Sequence, residues 1–190
     1  MNGQSSACAS LSATEPTDQY TECYHASVRA TYYRNFIFGV EDSLVSTVGL
    51  LSGVAIAGVE RETILLTGIV LIFVEAFSMA AGSFLSEASA QEFSEQRAMP
   101  HGASALAGSV MFISYFVAGF IPLFPYLVVP EPVNALYSSI AASLLALGVL
   151  GSIGGVFSKT SVWRSALRML VVGGIAIAIG VAVGIYFDVA

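Results

Sequence analysis

Charged residues are scarce in this sequence, and basic residues are the scarcest. Asp, Glu, Lys and Arg make up 11% of the 190 residues, and seven Lys and Arg against 13 Asp and Glu leave a net charge of -6. No basic patch is available to neutralise the phosphates of a nucleic acid. A nucleic-acid partner is therefore set aside.

Cysteine is nearly absent as well. Cys8 and Cys23 have fourteen residues between them, a spacing that fits neither a zinc knuckle nor a CxxC redox pair. We expect inert thiols. The stretch that carries them contains acidic residues and no apolar run, unlike a signal peptide. Residues 1–24 are expected to form a disordered polar tail.

Apolar residues, in contrast, make up 56% of the sequence, with a mean hydropathy of +0.79. A single soluble core of this size cannot bury so much apolar surface. Five continuous segments reach the length of about 20 residues that a membrane helix needs, and they lack the alternation of barrel strands. We predict an all-α integral membrane protein with a five-helix domain over residues 25–190. The helices are expected at about residues 35–59, 63–86, 103–129, 132–158 and 161–187.

The basic residues predict the orientation of these helices, because positively charged loops tend to stay in the cytoplasm. Arg61 alone falls in a connection on one side. The other six fall on the opposite side: Arg29, Arg34, Arg97, Lys159, Arg164 and Arg168. We predict a cytoplasmic N-terminus and a C-terminus outside.

Small residues and prolines predict how the helices pack. Pairs of glycines four residues apart let helices approach closely in lipid, and packing within one subunit is favoured over a dimer contact. The pairs are Gly49 and Gly53, Gly151 and Gly155, and Gly180 and Gly184. Pro122 and Pro125 remove two backbone donors, so the third helix is expected to kink or end there.

Three carboxylates interrupt the apolar segments: Glu41, Asp42 and Glu75. A carboxylate at the centre of a membrane helix costs about 2.5–3.5 kcal/mol, so it persists mainly beside an aqueous cavity or a partner. No Lys or Arg lies at the same depth to pair with them. Protonated, hydrogen-bonded acids and a bound metal ion or proton remain as interpretations. Glu41 is the weaker candidate, because it points about 100° away from Asp42 on a helix.

Met79 follows Glu75 by four residues and lies on the same helix face. A carboxylate oxygen beside a thioether sulfur suits a borderline transition metal such as Fe(II), Mn(II), Co(II) or Zn(II), whereas Mg(II) and Ca(II) prefer oxygen alone. Simple packing is the alternative interpretation for a membrane methionine.

An acidic strip follows the second helix. Glu87, Gln91 and Glu95 recur at four-residue steps, and Glu92 is adjacent to them. On a continuing helix this strip would raise the local concentration of cations. Glu87, Glu92 and Glu95 are therefore weaker metal candidates, and a solvated helix end is the alternative.

Several motifs together resemble the vacuolar iron transporter family, which includes nodulin-like plant proteins. The motifs are FGVEDSLVSTVGLLSG, VEAFSMAAGSFLS, IPLFPY and SVWRSALRMLVVGG, and the likeness runs from about Arg29 to Gly184. Its most specific part is an aspartate in the first helix combined with an acid-x-x-x-Met step in the second.

The resemblance implies a five-helix homodimer that moves Fe(II), and in some members Mn(II), out of the cytosol in exchange for protons. By position, Asp42 resembles the helix-one carboxylate that binds metal and proton, and Met79 resembles the helix-two thioether. Glu75 stands where the family usually has aspartate. The metal ion is then a substrate, and no permanently bound cofactor is expected.

The sequence also departs from the family. Ser43 stands where the family commonly has glycine, and Ser83 stands where it commonly has an acid. Residues 86–100 leave no room for the long Glu- and Met-rich domain that well-known members insert there. The resemblance therefore concerns the membrane transport core alone.

We therefore expect a proton-coupled metal transporter, not an enzyme, in a cell membrane, with a vacuolar or other endomembrane as the alternative. A membrane interaction protein with protonated acids is the second function considered. An intramembrane enzyme using Asp42 and Glu75 as acid and base is disfavoured, because no Ser with His and no HExxH motif accompanies them.

Overall fold

The computed structural model describes residues 17–94 and 101–187, and these ranges fold into five α-helices. They are α1 (Thr17–Ile56), α2 (Arg61–Ser94), α3 (His101–Val128), α4 (Pro132–Phe157) and α5 (Val162–Tyr186). Each contains a segment long and apolar enough to cross a membrane. The prediction of an all-α protein with five membrane-spanning helices is confirmed.

The observed boundaries differ from the predicted ones mainly at one end of the bundle. Helix α1 begins at Thr17, so residues 17–24, which we expected in a disordered tail, are helical. No proline or glycine occurs between Thr17 and Phe38, and nothing in the chain therefore stops the helix where the apolar segment begins. Helix α2 likewise continues beyond its apolar segment to Ser94.

Helix α3 continues through Pro122 and Pro125, so neither proline ends it. Its C-terminal carbonyls are capped from another helix. The Arg61 Nε donates to the carbonyl of Tyr126 at 2.8 Å, and its Nη2 donates to that of Leu127 at 2.7 Å. A cation at a helix C-terminus also interacts favourably with the helix dipole. Arg61 therefore stabilises the C-terminal end of α3.

Helix α3 lies at the centre of the arrangement. It packs against α1, α2 and α4, while α5 packs against α1 and α4. Helices α1 and α2 contact each other much less, which leaves a groove between them with α3 as its floor. Helix α5 is the most peripheral, with 11% of its apolar window buried.

The predicted glycine pairs mark the closest helix contacts, and all of these contacts lie within one chain. A Cβ on Gly53 would lie 2.7 Å from the carbonyl oxygen of Gly180, and a Cβ on Gly180 would overlap that of Gly49. A Cβ on Gly151 would lie 2.7 Å from the Cα of Ala166. The backbones of α1 and α4 thus pack directly on α5, in agreement with the expectation of packing within a subunit.

Two glycines of α5 test this packing. Alanine favours a helix over glycine by about 0.8–1.0 kcal/mol at either position. At Gly180, however, the added methyl meets the α1 backbone, whereas nothing lies within 4 Å of a Cβ on Gly174. Gly180→Ala should lower the thermal unfolding temperature in detergent, and Gly174→Ala should leave it unchanged or raise it. Equal effects of the two substitutions would contradict the α1–α5 contact.

Candidate functional site

The groove between α1 and α2 brings together two of the carboxylates singled out from the sequence. Asp42 on α1 and Glu75 on α2 are each partly buried. They lie close enough for their charges to repel each other. Residues from different helices therefore share one polar space within the membrane-spanning part of the bundle.

Tyr115 on α3 closes the floor of this space. Its hydroxyl donates to the Oε2 of Glu75 at 2.9 Å and lies 2.7 Å from the Oγ of Ser46, where either oxygen can donate. Its carbonyl accepts a 2.6 Å hydrogen bond from the Oγ of Ser43. Ser46 lies one turn beyond Asp42, on the same side of α1. One fully buried tyrosine thus joins three helices at the level of the carboxylates.

Sequence reasoning did not single out Tyr115. The sequence did offer one signal, a Tyr hydroxyl near the middle of a segment without charged residues. Buried Tyr hydroxyls usually find a hydrogen-bond partner, so a polar neighbour could have been expected. What the sequence did not contain is the register of α3 against α2. This register alone places Tyr115, and not the neighbouring Ser114, beside Glu75.

A cavity of about 620 Å³ continues the groove toward the end of the bundle that carries Arg34. We call this end, which also carries Arg29, Lys159, Arg164 and Arg168, the basic end. Met79 lines the cavity one turn from Glu75, and Met111 of α3, which is 3% exposed, contributes a second methionine. The Met111 Sδ would lie 3.1 Å from a Cβ on Gly39, so the missing side chain of Gly39 makes room for it. Two thioethers therefore line this cavity, and Met79 is one helical turn from Glu75, which does not itself line it.

Polar contacts between α1 and α2 border the cavity at the basic end. The Nδ2 of Asn35 donates to the Oγ of Ser83 at 2.7 Å and to the carbonyl of Ala107 at 3.3 Å. The Nη2 of Arg34 lies 4.0 Å from the Oε2 of Glu87, and the Arg34 side chain is 73% exposed. An ion pair this long and exposed contributes little to stability.

The remaining candidates are placed less favourably. Glu41 is partly buried and close enough to Asp42 for their charges to interact, and like Asp42 and Glu75 it does not line the cavity. Unlike Glu75, it has no side-chain hydrogen bond to the Tyr115 hydroxyl. Glu95 and the side chain of Glu92 fall outside the described residues. Within the described ranges no group of three or more His, Cys, Asp or Glu side chains could hold a metal ion. In one chain, a metal ion at Asp42 and Glu75 would therefore need hydroxyls, Met79 or water as further ligands.

Comparison with known proteins matches nearly the whole membrane portion of the chain to one family. The model of the VIT family matches residues 33–101 and 95–185. Vacuolar iron transporter homolog 3 of Arabidopsis thaliana is 31% identical over 170 residues, which are 83% of this chain and 84% of that protein. Vacuolar iron transporter homolog 5 of Oryza sativa subsp. japonica is 30% identical over 172 residues, 84% of this chain and 81% of that protein.

A further relative matches over a shorter stretch. Vacuolar iron transporter 1 of Arabidopsis thaliana is 38% identical over 64 residues, which are 34% of this chain and 26% of that protein. The likeness to the homologs is thus spread over most of both chains, whereas the likeness to this transporter is confined to one segment.

Two tyrosines of α3 provide a matched test of the hydrogen bonds at Tyr115. Tyr115→Phe leaves Glu75 and Ser46 without this partner, which should cost about 1–3 kcal/mol of unfolding free energy. Tyr126 is also buried, and its hydroxyl has no hydrogen-bond partner among the described residues. Tyr126→Phe should therefore be neutral or stabilising in thermal unfolding. If both variants lose equal stability, the contact between Tyr115 and Glu75 does not contribute.

Proposed function

This chain belongs to the VIT family, and we propose that it moves a divalent transition metal ion, Fe(II) first and Mn(II) second, out of the cytosol in exchange for protons. The observation that carries this proposal is the shared polar space of Asp42 and Glu75 at membrane depth. Among the described residues neither carboxylate has a cationic partner. The two therefore repel each other, and a cation between them relieves that repulsion.

Asp42, Glu75 and Met79 form the proposed metal site. The two carboxylates supply hard oxygen ligands, and Met79 supplies a soft sulfur from the adjoining cavity. This mixed set suits borderline transition metals better than Mg(II) or Ca(II). Few protein ligands also favour transport, because a site that releases its ion must not bind it too tightly. The metal ion is cargo, and no resident cofactor is proposed.

Competition between metal ion and proton couples their movements in this proposal. Metal binding requires ionised carboxylates. Once the metal leaves, the low-dielectric surroundings disfavour two unpaired negative charges, so protons take its place. The same site then carries either cargo in turn, and metal affinity falls as the pH falls.

The proposed direction follows from the charges at the two ends of the bundle. Positively charged connections favour the cytoplasmic side, and the basic end is proposed to face the cytosol. The cavity lined by Met79 and Glu87 lies toward that end and would admit metal from the cytosol. The names of the plant relatives favour a vacuolar membrane, which was the alternative to the cell membrane that we predicted.

A homodimer is proposed for the assembly. The groove between α1 and α2 is flanked by exposed apolar side chains, among them Phe38 at 49% and Phe73 at 53%. A second copy covering this side would shield Asp42 and Glu75 from lipid. It would also bring a second set of ligands to a site that has few in one chain.

A membrane interaction protein with protonated acids is the competing function. It predicts that divalent metal does not stabilise the purified protein. In contrast, a site filled at 100 times its dissociation constant adds about 2.7 kcal/mol. Thermal unfolding with Fe(II) under anaerobic conditions, across a series of pH values, distinguishes the two. The transporter should be stabilised at neutral pH and progressively less as protons compete.

Substitution of the carboxylates tests the site directly. Asp42→Asn and Glu75→Gln keep the side-chain volumes but remove the ionised oxygens. Fe(II)-dependent pH change in liposomes should drop at least about ten-fold, the equivalent of about 1.4 kcal/mol of lost binding. Glu131→Gln, at an exposed position before α4, is the matched control and should transport normally. Full Fe(II) flux through Asp42→Asn would remove Asp42 from the mechanism.

Substitution of the thioether tests metal preference. Met79→Leu conserves volume and removes the sulfur, so flux of Fe(II) should fall more than flux of Mn(II), the harder ion. Met169→Leu is the control, because Met169 packs against an apolar core cluster and does not line the cavity that contains Met79. An unchanged ratio of Fe(II) to Mn(II) flux in Met79→Leu would indicate that Met79 only packs.

A further inference from the structure

A second polar cavity lies at the basic end, between the end of α4 and the start of α5. Its volume is about 360 Å³, and it is lined by Lys159, Thr160, Ser161, Arg164, Ser165 and Arg168. Three of these side chains are cationic, and the other three carry hydroxyls. We call this cavity the basic pocket. It shares no lining residue with the cavity that contains Met79.

The cations of the basic pocket have no acidic counterpart among the described side chains. The one ion pair in that part of the chain joins Arg34 to Glu87, and Lys159, Arg164 and Arg168 are all exposed. Like charges held around one cavity repel each other, so an anion bound between them would be favoured. Arginine in particular suits phosphate, because its planar guanidinium can donate two parallel hydrogen bonds.

The backbone at the pocket supplies further donors. Ser161 caps α5 with no hydrogen bond from its side chain, which leaves the first amides of this 25-residue helix without that partner. The chain reaches this point by a sharp turn, in which Lys159 adopts a φ of 51°. This turn brings Lys159 back beside the first two turns of α5. Charge and backbone donors therefore converge on one cavity.

The side of α5 that continues from the pocket is apolar and exposed. Val171, Ile175 and Ile179 follow Arg164 and Arg168 at steps of three and four residues, so all five lie on one helix face. The three apolar side chains are 52%, 55% and 60% exposed. A ligand with a phosphate head and apolar chains would match the basic pocket at one end and this face along its length.

We propose that the basic pocket binds a phosphate group, with the headgroup of an anionic phospholipid as the source that its surroundings favour. Lysines and arginines near a membrane surface attract anionic lipids, and basic pockets between membrane helices bind phosphorylated headgroups. The proposal rests on the membrane-spanning fold and is independent of metal transport.

The chain contains one tryptophan, and its position makes it a reporter. Trp163 precedes Arg164 and is 75% exposed. The full-length protein is reconstituted in phosphatidylcholine vesicles that contain a minor fraction of either brominated phosphatidic acid or brominated phosphatidylcholine. Bromine quenches a nearby indole, so the ratio of quenching by the two lipids measures the preference for the anionic headgroup. In a second arm, inorganic phosphate is titrated in an uncharged detergent and thermal unfolding is recorded.

Single substitutions distinguish a pocket from diffuse surface charge. Arg164→Gln and Arg168→Gln each remove one charge from the pocket, whereas Arg29→Gln removes one charge from the same end of the bundle outside it. The preference for phosphatidic acid should fall about five-fold in each pocket variant and stay unchanged in Arg29→Gln. Unfolding temperatures without lipid verify that the variants fold, and the exposure of both arginines predicts that they do.

Each outcome decides the proposal. Preferential quenching that is lost only in the pocket variants supports a lipid headgroup. Absence of a lipid preference, together with stabilisation by inorganic phosphate that is lost only in the pocket variants, supports a phosphate site with a soluble source. An equal loss in Arg29→Gln, or no response to either phosphate, overturns it.

Discussion

The hydrogen bond from Tyr115 to Glu75 is the contact on which the polar interior of this bundle depends. Helices α1 and α2 contact each other less than either contacts α3, which connects them. At the level of the carboxylates one hydroxyl of α3 contacts both of the other helices, since it lies within hydrogen-bond distance of Glu75 on α2 and Ser46 on α1. Tyr115 is fully buried, and a polar group left without a partner inside a membrane protein is costly. The position of Glu75 relative to Asp42 is thereby tied to the packing of α3.

The bundle divides into a closely packed part and an open part. Helices α1, α4 and α5 meet through glycines, with backbone against backbone, and that packing leaves little freedom to shift. The contact between α1 and α2 instead combines an apolar cluster away from the basic end, which includes Leu51, Ile64 and Ile72, with a few side-chain bonds, such as Asn35 with Ser83, beside a large cavity. Any change of shape that exposes the carboxylates to one side or the other is therefore easiest along the groove. The dense packing lies on the other side of α1.

Two serines that depart from the resembled family illustrate how the bundle accommodates polar groups. Ser43 donates to the carbonyl of Tyr115 and so joins α1 to α3. Ser83 accepts from Asn35 and joins α2 to α1. Each serine hydroxyl forms an interhelical hydrogen bond at a position where an unpaired hydroxyl would be costly. Neither brings a charge to the groove, so the negative charge at membrane depth comes from Asp42, Glu75 and the neighbouring Glu41.

The amino-acid sequence by itself determined the five helices, their approximate limits and the unusual carboxylates, because a bilayer requires long apolar helices and penalises every charge within them. It also indicated the glycine contacts, since close helix packing in lipid needs small residues at four-residue spacing. Only the tertiary structure decided that Asp42 and Glu75 lie close enough for their charges to interact, that Tyr115 lies beside Glu75, and that Lys159, Arg164 and Arg168 line one cavity. These facts depend on the rotation and register of each helix against the next. The apolar pattern leaves both undetermined, because lipid and protein interior accept the same side chains.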